Sequence, residues 1–358
     1  MGNRVRDCAA AVLAVAIAVS TAPAAVAAGG ATRGYLVNSS VTSSELLVLD
    51  PVGNTITDRI AFGSEPKIAV RPDGREVYAS DPTTGRVLVV STATSTVVAT
   101  INVGGTPGRL AVTPDGRRVY VNQNRDGRVS VIDTATRRVV RTIAVDDLYL
   151  GLAISPDGSR IYLSVGANGT RPRALVVIST ASDTVTKVIP TPDRDVFSRV
   201  EFAPGGRLAL TDSGLVIDPR TDTILRDIPL PFWLADYQFT ADGAGVYVAD
   251  SCATDNRGAL RVIDPASGAI VRTVINGRNP YSVTLTPDNR LLYAALDAGR
   301  NIAVLNPDTG AILDVFGVPD PNGNPRVIDI RLSATAPAAP RPGQRLAPHP
   351  PPQLFCQI

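Results

Sequence analysis

The chain has 358 residues, with 35 Lys and Arg against 33 Asp and Glu, and one His. A balance so near neutral makes no electrostatic case for nucleic acid or an anionic membrane as a partner. The lone imidazole, His349, removes the histidine-dependent chemistries: copper, haem and catalytic zinc centres typically need His ligands, and Ser-His-Asp catalysis needs a His base.

Taken in chain order, "MGNRVRD" is a short basic region and "CAAAVLAVAIAV" an apolar run too short to span a bilayer. "STAPAAVAA" follows with the small residues of a cleavage site. Residues 1–28 therefore read as a secretory signal peptide. Arg4 and Arg6 are not adjacent, so the twin-Arg route is not indicated, and Cys8 stands at the head of the apolar run, not after it, which misplaces it for a lipoprotein. No later segment is apolar enough to cross a membrane. The expectation is an exported monomer, secreted or associated with the cell envelope, with no membrane span.

From Val70 a motif recurs: "VRPDGREVYA", then "VTPDGRRVYV" from Val112, "ISPDGSRIYL" from Ile154, "FTADGAGVYV" from Phe239 and "LTPDNRLLYA" from Leu285. Asp73, Asp115 and Asp157 are 42 residues apart, and Gly205, Asp242 and Asp288 take that place further on. A fixed period of this size signals a repeat architecture. One unit, Pro107 to Val145, holds four runs rich in Val, Ile and Tyr ("RLAVT", "RVYVN", "RVSVID", "RVVRTIAV"), each bounded by Gly, Pro, Asp or Asn. That is the pattern of four strands joined by hairpins. In "TPDGR" the proline presets φ for the first turn position and the glycine takes the positive φ that follows.

Six whole units begin near Ile68, Leu110, Leu152, Val200, Tyr237 and Val283; they are blades 1 to 6. Gly34 to Gly63 supplies strands two, three and four without a first, and Pro325 to Ala334 supplies a first strand alone. Together they make blade 7. A four-stranded sheet cannot bury both faces by itself, and stacking copies about an axis does so. The expectation is an all-β, seven-bladed β-propeller of four-stranded antiparallel blades over residues 29–334, its ring closed by the C-terminal strand joining the N-terminal blade. After Ala334 a Pro-rich tail, 335–358, reads as extended or disordered.

With "TPDGRRVYVNQN" and tails such as "VVSTATSTVVATINVGG", the chain resembles the YVTN family of β-propeller repeats, a WD40-like repeat class, over roughly Tyr35 to Ala334. The match is strongest in blades 1 to 3; blade 4 has "APGGRLALTD", without the Tyr and the Asp. The resemblance implies surface-layer or secreted recognition rather than chemistry, with no catalytic residues to carry over. Fold alone does not assign function.

Alternating strands sort the loops onto two faces. The second-to-third loops and the blade links share the more variable one, the top. Three successive links break the G-x-x-P pattern of the others: "VDDLYLG", "PTPDRDVFSR" and "LPFWLADY". They carry Asp146, Asp147, Tyr149, Arg194, Asp195, Phe197, Arg199, Phe232, Trp233, Asp236 and Tyr237. Aromatics and Arg are common anchors of interfaces and of sugar or peptide sites, so these eleven form a candidate ligand or partner groove over blades 3 to 5. The bland alternative is that the ring residues plug gaps between blades and the charges are solvated. Asp81, Asn122, Asn124, Asp212, Asp250, Asp255 and Asp297 join the same face from second-to-third loops. Their oxygens could hold Ca²⁺, but no D-x-D-x-D-G loop is present and solvated turn residues are the better account. No metal, cofactor or catalytic residue is assigned.

Export makes a Cys252–Cys356 disulfide a candidate; the alternative is a free Cys252 and an intermolecular Cys356. Three functions stay open. The leading one is a secreted binding module recognising an extracellular or envelope protein or glycan through the top face. The others are a cofactor-free hydrolase, lyase or isomerase on a small molecule in the top cavity, using paired carboxylates such as Asp195 with Asp236, and a structural surface-layer component.

Overall fold

The computed structural model describes residues 33–39, 44–51, 53–62, 66–124, 126–145, 149–165, 173–191, 199–231, 234–251, 258–296, 300–318 and 327–332. Residues 1–28 and 335–358, with Cys252 and Cys356, lie outside them. Every Val/Ile/Tyr run forms a strand. The chain opens with β1 (Gly34–Ser39), β2 (Ser44–Asp50) and β3 (Thr55–Phe62). Blade 1 is β4 (Ile68–Val70), β5 (Glu76–Asp81), β6 (Arg86–Ser91) and β7 (Thr96–Asn102). Blade 2 is β8 (Pro107–Val112), β9 (Arg118–Gln123), β10 (Arg128–Asp133) and β11 (Arg138–Ala144). Blade 3 is β12 (Tyr149–Ile154), β13 (Arg160–Val165), β14 (Ala174–Ser179) and β15 (Thr184–Pro190). Blade 4 is β16 (Val200–Phe202), β17 (Ala209–Thr211), β18 (Leu215–Asp218) and β19 (Thr223–Asp227). Blade 5 is β20 (Leu234–Phe239), β21 (Val246–Asp250), β22 (Ala259–Ile263) and β23 (Ile270–Asn276). Blade 6 is β24 (Ser282–Leu285), β25 (Leu292–Leu296), β26 (Asn301–Leu305) and β27 (Ile312–Gly317), and β28 (Val327–Leu332) ends the ring.

These strands form seven four-stranded antiparallel sheets, and blade 7 has the order β28-β1-β2-β3. Leu36 pairs with Ile330 and Tyr35 with Arg331, so the two ends of the propeller share one sheet. The inner strand β28 lies against β24 on one side and β4 on the other, which closes the circle. Each seam between blades is its own apolar wedge. Ala111, Tyr120, Leu152 and Ile161 fill the one between blades 2 and 3. Tyr35, Val37, Ile68 and Val77 fill the closing one. Burial of each large side chain contributes about 1.5–3 kcal/mol, so stability is distributed around the ring. The exposed large apolar residues, from Val97 to Val315, sit on outermost strands. Each outer strand pair carries a register shift, as between Val131 and Ile132 in blade 2 and Val177 and Ile178 in blade 3. Such bulges twist an edge away from further pairing.

The repeated turn has two tasks. In blade 2, Thr113 Oγ1 donates to Asp115 Oδ1 at 2.5 Å and the Arg117 amide donates to the same oxygen at 3.0 Å. The carboxylate thereby fixes the hairpin from within. Gly158 of the next turn has φ +72°, and a Cβ there would stand 2.9 Å from Cδ of Pro114. The proline of one turn thus abuts the glycine of the next here and, less closely, at Pro156 and Gly206. The repeated Tyr also links neighbours. Tyr120 donates to Asp183 of blade 3 at 2.6 Å, and Tyr162 donates to Asp222 of blade 4 at 2.6 Å. Blade 4, where Leu210 replaces the Tyr, makes its turn with a short 3-10 segment, Pro204–Gly206.

Candidate functional site

The inner strands explain how the axis is furnished. Opposite the repeat tyrosines of blades 1 to 3 stand Ala69, Ala111 and Ala153. In the other four blades the equivalent position holds Glu201, Gln238, Thr284 and Arg331. All four are buried. A polar residue interrupting the apolar first strand, as in "RVEF" or "DYQF", was the available sequence signal for them.

Three residues of the sequence-derived groove meet here. Arg199 immediately precedes β16, and Asp236 and Tyr237 lie on β20; they are 2%, 1% and 0% exposed. They are therefore not solvated link residues. Arg199 forms an ion pair with Asp236 and donates through Nη2 to Glu201 at 3.0 Å and to the Tyr237 carbonyl at 2.5 Å. Its guanidinium carbon stands 4.5 Å from the centre of the Tyr237 ring, a cation–π contact. The Tyr237 hydroxyl donates to the Leu210 carbonyl at 2.7 Å.

The acids also cap the inner edge of the following blade. An inner strand has no neighbour on its axial side, so its amides need other acceptors. Glu201 takes the Phe239 amide at 3.3 Å. Asp236 takes the Val283 amide and the Ser282 hydroxyl, each at 2.9 Å. Gln238 takes the Leu285 amide at 2.9 Å. Side chains of blades 4 and 5 thus tie blades 4, 5 and 6 together. Burial pushes the Glu201 carboxyl up to about 7, with Arg199 opposing the shift and Arg331 of blade 7 adding to that opposition. Burial also raises Tyr237 well above its ordinary range. The knot can hold a proton near neutrality, and Arg199 faces both of its carboxyls.

The other groove residues divide as follows. The backbone of Tyr149 begins β12. Asp146, Asp147, Arg194, Asp195, Phe197, Phe232 and Trp233 lie outside the described residues, so the structure brings together only Arg199, Asp236 and Tyr237. Of the second-to-third loop residues, Asp81 accepts the amide of Thr83 at 3.1 Å in a local turn, and Asp250 is 4% exposed and paired with Arg261 at 2.8 Å. Asn122 is 0% exposed. Solvated turns therefore do not describe Asp250 or Asn122. Among the described residues no group of three or more His, Cys, Asp or Glu side chains could hold a metal ion. No helix among them is long and apolar enough to cross a membrane.

Comparison with known proteins adds a likeness over the first blades. Residues 25–189 are similar to a family described as outer membrane protein assembly factor BamB. That stretch is somewhat less than half of the chain. Among solved structures, hydrazine synthase of Kuenenia stuttgartiensis is 21% identical, with 82% of this chain and 76% of that one covered, at a TM-score of 0.50. A protein described as a candidate 6-phosphogluconolactonase from Bacteroides uniformis is 16% identical, with 85% of this chain and 100% of that one covered, at a TM-score of 0.62. At such identities these two likenesses speak to fold alone. No curated protein matches the chain in sequence.

Proposed function

We propose that the chain is a secreted, YVTN-like binding module that recognises an extracellular or envelope protein or glycan through the top face of its propeller. The observation that carries this reading is that Arg199, Asp236 and Glu201 are spent on one another. Arg199 engages Asp236, Glu201 and the Tyr237 carbonyl, and both acids are held by backbone amides of the next blade. A general acid or base must instead be directed at a substrate atom. The three irregular links are rich in aromatic and Arg residues, a composition that suits an interface. The likeness to an outer membrane assembly factor supports an envelope partner. A second reading, a cofactor-free enzyme, is favoured by the Glu201 carboxyl held near neutrality.

The test is capture. Mature protein, as wild type, Trp233→Ala and Arg194→Ala, is offered the cell-wall fraction, culture filtrate and metabolite extract of the producing cell. A protein or glycan retained by wild type and lost from both variants is the expected result. Equal retention by folded variants would remove the groove. A metabolite altered by wild type and left intact by Glu201→Gln would move the assignment to the enzyme.

A further inference from the structure

We propose that the top ends of the second strands in blades 2 and 3 form a site for the hydroxyl groups of a neutral glycan, with Asn122 and Ser164 as the groups that face it. This rests on the top-face binding reading above and narrows it to one ligand chemistry.

Asn122 and Ser164 are equivalent positions of the repeat, each two residues beyond the repeat tyrosine (Tyr120 and Tyr162). Both are 0% exposed. Neither Oδ1 nor Nδ2 of Asn122 has a hydrogen-bond partner, and neither does Oγ of Ser164. Exchanging the amide atoms of Asn122 would leave both unpartnered all the same. The other blades show that the fold does not require this arrangement. In blade 1 the equivalent Ser80 receives the Lys67 amide at 3.0 Å. In blades 5 and 6 the position is alanine, Ala249 and Ala295, and both are buried without a polar group to satisfy. A buried polar group left unpaired costs about 1–3 kcal/mol. Blades 2 and 3 bear that cost where alanine would avoid it, and such departures from local consistency concentrate at functional sites.

The inner strands carry glycine at the same level. Gly108 lies against Asn122: a Cβ there would stand 2.6 Å from Asn122 Oδ1 and would also strike Asn124 Oδ1. In blade 3 the residue paired with Ser164 is Gly151. A glycine of the inner strand thus stands against each polar group, with Asn124 Oδ1 beside Asn122 in blade 2.

The chemistry of the vacant bonding positions selects the ligand. Asn122 and Ser164 each offer both a donor and an acceptor. A hydroxyl donates and accepts at once, as water does, so it can replace water with the least loss. A carboxylate cannot donate and an ammonium cannot accept. The guanidinium of Arg199 engages Asp236 and Glu201.

The experiment is an array of neutral and acidic oligosaccharides probed with the full mature chain as wild type, Asn122→Leu and Ser164→Ala, with a thermal melt of each protein. Neutral glycans should be retained by wild type and weakened about tenfold or more in both variants. The melting temperature of Asn122→Leu should equal or exceed that of wild type, because the leucine leaves no amide unpaired. Undiminished retention by Ser164→Ala, which keeps its volume change small, would overturn the site. Retention of acidic glycans alone would overturn the ligand class. Failure to retain any glycan, with lower melting of both variants, would mean that the two groups hold structural water only. Capture of an envelope protein with no glycan retained would overturn this inference and leave the top-face reading standing.

Discussion

Tyr120 of blade 2 and Asp183 of blade 3 are joined by a 2.6 Å hydrogen bond across the seam between two blades. Arg118 adds an ion pair to the same carboxylate at 3.0 Å. Tyr162, Arg160 and Asp222 repeat the arrangement one blade on, with the hydroxyl 2.6 Å and the guanidinium 2.5 Å from the carboxylate. The tyrosine that makes the repeat visible in the sequence is therefore a link between blades as well as a core residue. Asp183 and Asp222 have φ of 53° and 52°, the left-handed region that Asp tolerates better than most residues.

Replacement of Asp183 by Asn keeps that backbone preference and removes the charge. It should destabilise the protein by about 1–2 kcal/mol, the range for a hydrogen bond to a charged group reduced by the partly exposed arginine. Tyr120→Phe should cost about 1 kcal/mol. Denaturant titration of the singles and the double variant should show coupling, the double costing less than the two singles added.

Glu201 makes stability depend on pH with a definite sign. Burial raises its folded pKa from 4.5 to about 7, so between those values the folded chain holds a proton that the unfolded chain has released. Its favourable contribution is complete below about 4.5 and is lost as pH rises to about 7. Melting temperature should therefore fall across that window relative to Glu201→Gln, which cannot titrate and keeps an acceptor for the Phe239 amide. A wild-type and variant pair with parallel pH profiles would refute the assignment.

Arg199→Met removes a cation that touches both Asp236 and Glu201. Two carboxyls would remain buried without the guanidinium that contacts both, and the expected cost is about 3–5 kcal/mol. Lysine at this position should recover only part of it, because an ammonium cannot reproduce the planar contact with the Tyr237 ring while donating in several directions. Chemical denaturation of both variants measures the difference.

Gly158→Ala and Gly205→Ala separate steric contact from backbone strain. Gly158 has φ +72° and Pro114 Cδ within 2.9 Å of its would-be Cβ; Gly205 has φ +78° and nothing within 4 Å. Both should lose about 1 kcal/mol from the left-handed conformation. Gly158→Ala should lose more, since the proline of the neighbouring turn must shift. Equal melting temperatures would show that the turn-to-turn contact carries no stability.

Strand number, hairpin positions and the split seventh blade were all legible in the sequence. They depend on local pattern: apolar alternation, Pro-Asp-Gly turns, and a fragment at each end that lacks what the other has. The same reading took Arg199, Asp236 and Tyr237 as members of a surface groove, because they adjoin irregular links. Their joining depends on contacts between residues about 40 apart in the chain, a separation set by the repeat that places them on adjacent inner strands. Asn122 and Ser164 are a similar case. Their position two residues after the repeat tyrosine is plain in the sequence, but only the packed ring decides that one blade's equivalent serine finds a backbone partner and these two do not. Periodicity along a chain specifies the blade; which side chains meet across a seam is set by the closure of seven blades on one axis.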